Sequence, residues 1–346
     1  MSTLNRTIEI IGPLDEVAMK EAARRQDSLT KPPGSLGRLE EIAIRIAGIT
    51  RRDRPQLLRK TLFTLAADHG IAAEGVSAYQ QAVTREMVRN FLRKGAAINV
   101  LARHASIDLV VADFGVASDV APDPGLLSLK VNFGTKNFHR EPAMSRDEAL
   151  CAVERGIGLV QDADLVGTGE MGIANTTSAS AITSVVTGKS PAEVTGRGTG
   201  IDEIALHKKV RVIEESIARH RPKAADGLDL LSKIGGFEIG GMAGIMLGAA
   251  ARRIPVVLDG FISGAAALIA ATLAPRVKDY LFAAHRSQEK GHAVSLSWLG
   301  LKPILDLDLR LGEGTGAALA MPIIEAACKV LCEMATFEEA GVSGKS

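Results

Sequence analysis

The chain is poor in aromatic residues, with nine Phe, two Tyr and one Trp among 346 residues. It has three cysteines, Cys151, Cys328 and Cys332, which form no C-x-x-C pair and no zinc-ligand spacing. So sparse and odd a count argues against a disulfide scaffold and fits a reducing cytoplasm. Net charge is also lacking: 41 basic and 40 acidic side chains leave a formal charge of +1. With no basic run longer than a few residues, a nucleic-acid or anionic-membrane partner is not expected. The first ten residues lack the charged-then-apolar order of a signal peptide. The most apolar stretch, 261–275, is too short and too rich in small residues to span a bilayer. What remains is a chain with 46% apolar residues, long enough for one large domain or two smaller ones.

Glycine is plentiful. Of the 35 glycines, 21 fall between Gly167 and Gly316. Glycine weakens element interiors, so a local excess points to loops that turn tightly or approach a ligand closely. Short apolar runs recur along the chain, each closed by small or polar residues and followed by a helical stretch. Residues 62–67 end in Asp68-His69-Gly70, and 107–112 end in Asp113-Phe114-Gly115. Leu165-Val166 leads into Gly167-Thr168-Gly169-Glu170, 254–258 end in Asp259-Gly260, and 279–284 end in His285-Arg286-Ser287. Continuous apolar runs of this length read as buried parallel strands.

Helical spacing predicts helices over 84–104, from Ser145 to about 161, over 201–219 and over 316–335. Ser145 and Glu148 form a capping box. The alternation implies an α/β fold: a Rossmann-like doubly wound parallel sheet of about six strands, with ligands at the carboxyl ends of the strands. Residues 14–25 and 38–51 read as helices with no strand beside them. A small helical domain from both termini (1–55 plus 316–346) and a large α/β domain (56–315) are therefore expected.

Gly167 to Gly172 match G-x-G-x-x-G, which alone suggests a dinucleotide site and an oxidoreductase. The helix after it is expected to end near Thr187 and run into a loop, with no second strand carrying a ribose-binding acid. The narrower reading is a glycine loop before Asn175-Thr176-Thr177, whose free N–H and hydroxyl groups suit a phosphate. A tight turn with Asn175 as N-cap fits the same residues. Gly240, Gly244 and Gly248 recur every four residues and predict close helix packing, whereas Gly235 and Gly236 fit either packing or ligand approach. His69, His285 and His292 raise the question of a metal, but no H-E-x-x-H or similar spacing accompanies them. Glu313, held between Gly312 and Gly314 where a helix begins, is either an acid complementing the helix dipole or a general base on an open backbone.

Six blocks in register carry a family resemblance: Lys31 to Gly37, Asp68-His69-Gly70 with Glu74 to Tyr79, Gly169 to Ile173, Gly196 to Gly200, Gly236 to Met242 and Gly312 to Gly316. Together the chain resembles the nicotinate-nucleotide–dimethylbenzimidazole phosphoribosyltransferases of cobalamin assembly, nearly end to end. The resemblance implies transfer of phosphoribose from nicotinate mononucleotide to a benzimidazole nitrogen, with inversion at the anomeric carbon. It implies no metal or redox cofactor, and a homodimer. By the resemblance, Glu313 is the base and Glu170 an electrostatic or positioning acid. Gly172, Asn175, Thr176, Thr177, Lys209, Gly235 and Ser287 would hold the ribose phosphate. Ser77, Tyr79, Gln81, Glu86, Met171 and Leu311 would line the acceptor pocket. Three positions depart from the family pattern: Gln80 stands where Pro is common, Glu86 where Gln is common, and Ala174 where Gly is often found. The first two lie in the acceptor segment, which leaves adenine, other benzimidazoles and phenols as alternative acceptors. A non-catalytic nucleotide sensor is the remaining alternative.

Overall fold

A computed structural model describes residues 1–343; the final three residues of the expected terminal helical domain, 344–346, lie outside it. Six strands form one all-parallel sheet: β1 (Lys60–Ala67), β2 (Asp108–Gly115), β3 (Leu126–Ser128), β4 (Leu165–Met171), β5 (Val256–Leu258) and β6 (Leu281–Ala283). Their spatial order is β3-β2-β1-β4-β5-β6. This is the doubly wound sheet expected from the apolar runs. The strand order reverses between β1 and β4, which opens a crevice beyond their carboxyl ends. The edge strand β3 is only three residues long, too short for its two leucines to stand out as an apolar run.

The helix expected over 84–104 is two helices, Ala82–Leu92 and Ala97–His104. Lys94 adopts φ +61° between them, and that left-handed turn ends the first helix. The continuous apolar pattern hides the break because both pieces present apolar faces inward. The capping box at Ser145 and Glu148 is formed and starts the Arg146–Leu159 helix. An N-terminal helix, Thr3–Ile10, adds to those expected from the pattern.

The Phe237–Ala251 helix, apolar but for Glu238, is buried under the sheet and crosses Arg146–Leu159. A β-carbon at Gly240 would lie 3.0 Å from the Ala152 β-carbon, and one at Gly248 3.0 Å from the Ile157 carbonyl oxygen. One at Gly244 would overlap the Val153 carbonyl, and one at Gly156 the Gly241 carbonyl. The four-residue glycine repeat is therefore a helix-crossing surface. Gly235 and Gly236 also face protein, against Leu231 and His69.

Both termini meet on one side of the sheet. The Glu16–Ser28 and Arg38–Thr50 helices pack on Thr315–Glu333, and Leu29 bridges Thr336 antiparallel. The Arg25 guanidinium donates to the Leu331, Cys332 and Met334 carbonyls at that helix end. Thr315–Glu333 is long and apolar enough to cross a bilayer, but here it packs between the terminal helices and β1, β4 and β5.

Candidate active site

The carboxyl ends of β1, β4, β5 and β6 deliver Asp68-His69, Glu170-Met171, Asp259 and His285 to one place. Beyond them lies a cavity of about 330 Å³. Its wall includes Tyr79, Glu170, Met171, Gly172, Asn175, Thr176, Ser287 and Leu311 from the residues singled out above. Lys209 is fully buried behind that wall, and its ammonium donates to the Thr176 hydroxyl at 2.8 Å. Thr177, Gly235, Ser77, Gln81, Glu86 and Glu313 are not among the wall residues. Thr177 is buried in its helix, and Gly235 packs on Leu231. Ser77 meets the hydroxyl of Thr199, a wall residue, at 3.1 Å. Gln81 reaches the His69 carbonyl at 3.5 Å, and Glu86 is exposed on the Ala82–Leu92 helix.

Three successive left-handed residues build the Glu313 loop, with φ +88° at Gly312, +63° at Glu313 and +99° at Gly314. A non-glycine residue held there stores strain of order 1 kcal/mol or more, so its surroundings must fix it. The Glu313 N–H donates to the Glu170 carbonyl at 3.2 Å, and the Thr64 hydroxyl donates to the Glu313 carbonyl at 2.8 Å. Asp259 holds the start of the next helix, accepting from the N–H groups of Gly314 at 3.0 Å, Gly316 at 2.7 Å and Ala317 at 3.3 Å. The side chain of Glu313 is buried, and its Oε2 accepts from the Ile98 N–H at 3.2 Å. No hydrogen bond engages its Oε1 among the described residues, which leaves that oxygen to take a proton.

The glycine fingerprint finds its explanation in the same loop. A β-carbon at Gly169 would overlap the Glu313 carbonyl, one at Gly167 would crowd Met321 and Leu62, and one at Gly172 would overlap the Ala67 carbonyl. These glycines let β4 pack closely against β1 and the Glu313 loop. The helix after them, Asn175–Thr187, gives way to a single helical turn, Pro191–Val194, and no strand follows before Glu203–His220.

Carboxylates dominate the electrostatics. Burial, then the like charges of Glu238 and Asp259, push Glu170 well above the ordinary carboxylate range, against a hydrogen bond from the Asn175 amide. Burial pushes Asp259 up to about 7, against its three N–H donors. Glu313 is raised by burial and held down by the Ile98 N–H. Buried acids this close cannot all ionise at neutral pH. Of the three, Glu170 is pushed furthest toward its protonated form by burial and by its acidic neighbours. His69 is locked between Glu238 at 2.6 Å and Ser178 at 3.1 Å. His292 accepts from the Ser287 N–H at 3.0 Å and is depressed to about 3 by burial, then by His285. These histidines anchor loops.

A family model described as phosphoribosyltransferase matches residues 11–342. The chain belongs to this phosphoribosyltransferase family. Two relatives, each a nicotinate-nucleotide–dimethylbenzimidazole phosphoribosyltransferase, agree with it. The one from Chloroflexus aggregans is 61% identical, over 100% of this chain and 99% of its own length. The one from Roseiflexus sp. is 57% identical, over 100% and 99%. The crystal structure of the enzyme of the same name from Thermus thermophilus superposes with a TM-score of 0.91 at 46% identity, covering 96% of this chain and 100% of that one. The matched span includes both the sheet and the Glu313 loop.

Sequence reasoning passed over Asp259. It sits at a strand end followed by glycine, a position that signals proximity to the site, but no motif marks its task of organising the Glu313 loop. Thr199, Glu289 and Arg310 also line the cavity. Thr199 lies inside the Gly196 to Gly200 block, but no signal in the sequence marks these three side chains for the cavity.

Proposed function

We propose that the chain transfers the 5-phosphoribosyl group of nicotinate mononucleotide to 5,6-dimethylbenzimidazole. The products are α-ribazole 5′-phosphate and nicotinate. The observation that carries this reading is a buried carboxylate with one open oxygen, on a strained loop beside the cavity of a chain from this family. The benzimidazole nitrogen bonds to the anomeric carbon as the bond to the pyridinium nitrogen breaks. The bonding pair returns to the pyridine ring and discharges it, so the leaving group needs no proton. The proton on the second benzimidazole nitrogen goes to Glu313 Oε1. Asn175, Thr176, Ser287 and Lys209 surround the phosphate, and protonated Glu170 donates toward the ribose. Attack opposite the leaving group inverts the anomeric carbon.

Purified protein incubated with nicotinate mononucleotide and dimethylbenzimidazole is expected to release nicotinate, followed by chromatography. Absence of release with every one of several benzimidazoles, purines and phenols overturns the reading.

Tyr79, Met171 and Leu311 are read as the acceptor side of the cavity, with Ser77, Gln81 and Glu86 next to it. Glu86→Gln is expected to change relative rates across acceptors by about tenfold, the worth of one hydrogen bond to a charged group. Unchanged relative rates in a competition assay remove Glu86 from specificity. A cytoplasmic homodimer completes the proposal. The exposed Tyr79 and Leu311 at the cavity mouth and the free cysteines support it.

A further inference from the structure

Glu289 has no structural task that explains it. It is the N-cap residue of the Lys290–Leu299 helix, yet its side chain caps nothing. Its Oε2 is buried and has no hydrogen-bond partner, and an orphaned buried oxygen in a folded protein calls for a reason. The neighbouring loop is shaped around it, because a β-carbon at Gly196 would overlap that oxygen. Glu289 forms part of the wall between the 330 Å³ cavity and a second one of about 470 Å³, which Arg197, Glu203, Lys290 and Arg310 also line.

Lys209 poses the complementary problem. Its ammonium is buried, and its hydrogen bond goes to a neutral hydroxyl. A buried ammonium without a counter-charge tends to lose its proton. The 196–198 loop passes between the two residues. Gly198 lies against the Lys209 ammonium and Thr176, with a β-carbon there 3.3 Å from the former and 2.8 Å from the latter, while Gly196 lies against Glu289. Glu289 and Lys209 thus flank one loop without an ion pair between them, Glu289 in the cavity wall and Lys209 behind it at Thr176, where the phosphate is read to bind.

We propose that Glu289 is a positioning residue for the phosphate subsite: its carboxylate keeps the Lys209 ammonium charged while the site is empty, and the substrate phosphate takes over as counter-charge on binding. This inference rests on the reading of that subsite given above. Burial lowers Lys209 to about 8, and Glu289 is the charged group that opposes the shift. The other charged residues around the second cavity are Lys290 beside Glu289, Arg197 on the glycine loop, Arg310 on the segment leading into the Glu313 loop and Glu203 at the start of the Lys209 helix. Cations cannot hold the proton on an amine, and Glu203 is exposed and paired with Arg197 and His207, so none of these replaces what Glu289 supplies.

The test is the affinity for nicotinate mononucleotide, measured by calorimetry without acceptor between pH 6.5 and 9, with kcat/KM measured in parallel. Wild-type affinity is expected to fall as Lys209 loses its proton near pH 8. In Glu289→Gln, which preserves shape, that fall should begin about one pH unit lower, the usual effect of removing an opposite charge at close range. Near pH 6.5 both proteins carry a charged Lys209, and the variant should bind equally or more tightly, since a negative charge facing the phosphate is gone. Near pH 8.5 it should bind up to about tenfold more weakly. The second ionisation of the phosphate is common to both proteins and cancels. Crossing profiles support the proposal, and parallel profiles overturn it. In a Lys209→Met background the Gln substitution should lose its pH-dependent effect, and a persisting effect also overturns it. A wild-type protein that binds no nicotinate mononucleotide defeats the functional reading instead, so the two failures are distinguishable.

Discussion

Glu313→Gln is expected to lower kcat by about 10²–10⁴, the range for loss of a general base, while nicotinate mononucleotide still binds. Gln keeps the length and an oxygen for the Ile98 N–H, so the loop need not move. What is lost is the capacity to take the second benzimidazole proton. Stability should respond in the opposite direction. Burial raises the Glu313 carboxyl above its ordinary value. A raised carboxylate costs nothing below its unfolded pKa, because both states hold the proton there. As pH rises past that value the unfolded state ionises first, and the folded state is disfavoured. The variant, which never ionises, should therefore match wild type in thermal denaturation at pH 4 and equal or exceed it at pH 7. Lost turnover with undiminished stability marks a residue placed for chemistry at a structural cost. Unchanged turnover, or a collapse of stability at pH 7, removes the assignment.

Gly244→Val is expected to give the converse, a large loss of stability with no direct effect on chemistry. A β-carbon at Gly244 would occupy the position of the Val153 carbonyl. That atom is backbone, in the middle of the Arg146–Leu159 helix, and no rotamer change moves it aside. The two helices must separate, and the separation spreads to the Gly156 and Gly241 contact beside it. Overpacking of a close-packed core commonly costs about 1–3 kcal/mol. A branched side chain against rigid backbone belongs at or beyond the top of that range. Chemical denaturation should show a lowered midpoint. The fraction that remains folded should turn over at a rate near wild type, because the crossing lies beneath the sheet, away from the cavity. A wild-type midpoint would mean that the two helices are not held together at this crossing.

The glycines show where sequence reading succeeds and where it stops. The four-residue spacing of Gly240, Gly244 and Gly248 is a local property of one helix, so its packing role was legible without coordinates. Gly167, Gly169 and Gly172 are different. Their pattern matches a dinucleotide fingerprint, yet the groups that require them to lack side chains are Met321, Glu313 and Ala67, remote in the chain. Glu313 itself was legible as a carboxylate between two glycines, although the sequence left its role open between dipole complement and base. The break between Leu92 and Ala97 was not legible, because one left-handed residue interrupts a pattern that is apolar on both sides.

The sequence by itself determined the α/β class, the parallel sheet, the strand ends that carry the polar groups and the family. These follow from apolar runs, glycine positions and motif order, all short-range in the chain. Only the tertiary structure decided which of those polar groups work together. Asp259 lies 54 residues before Glu313 in the chain, and nothing local indicates that its carboxylate collects the N–H groups of the Glu313 loop. The same holds for Glu289 and Lys209, whose side chains flank one glycine loop. Protonation follows from burial and from the proximity of like and unlike charges. Both arise when strands far apart in sequence are brought side by side, which is why the chemistry of this site had to be read from the fold.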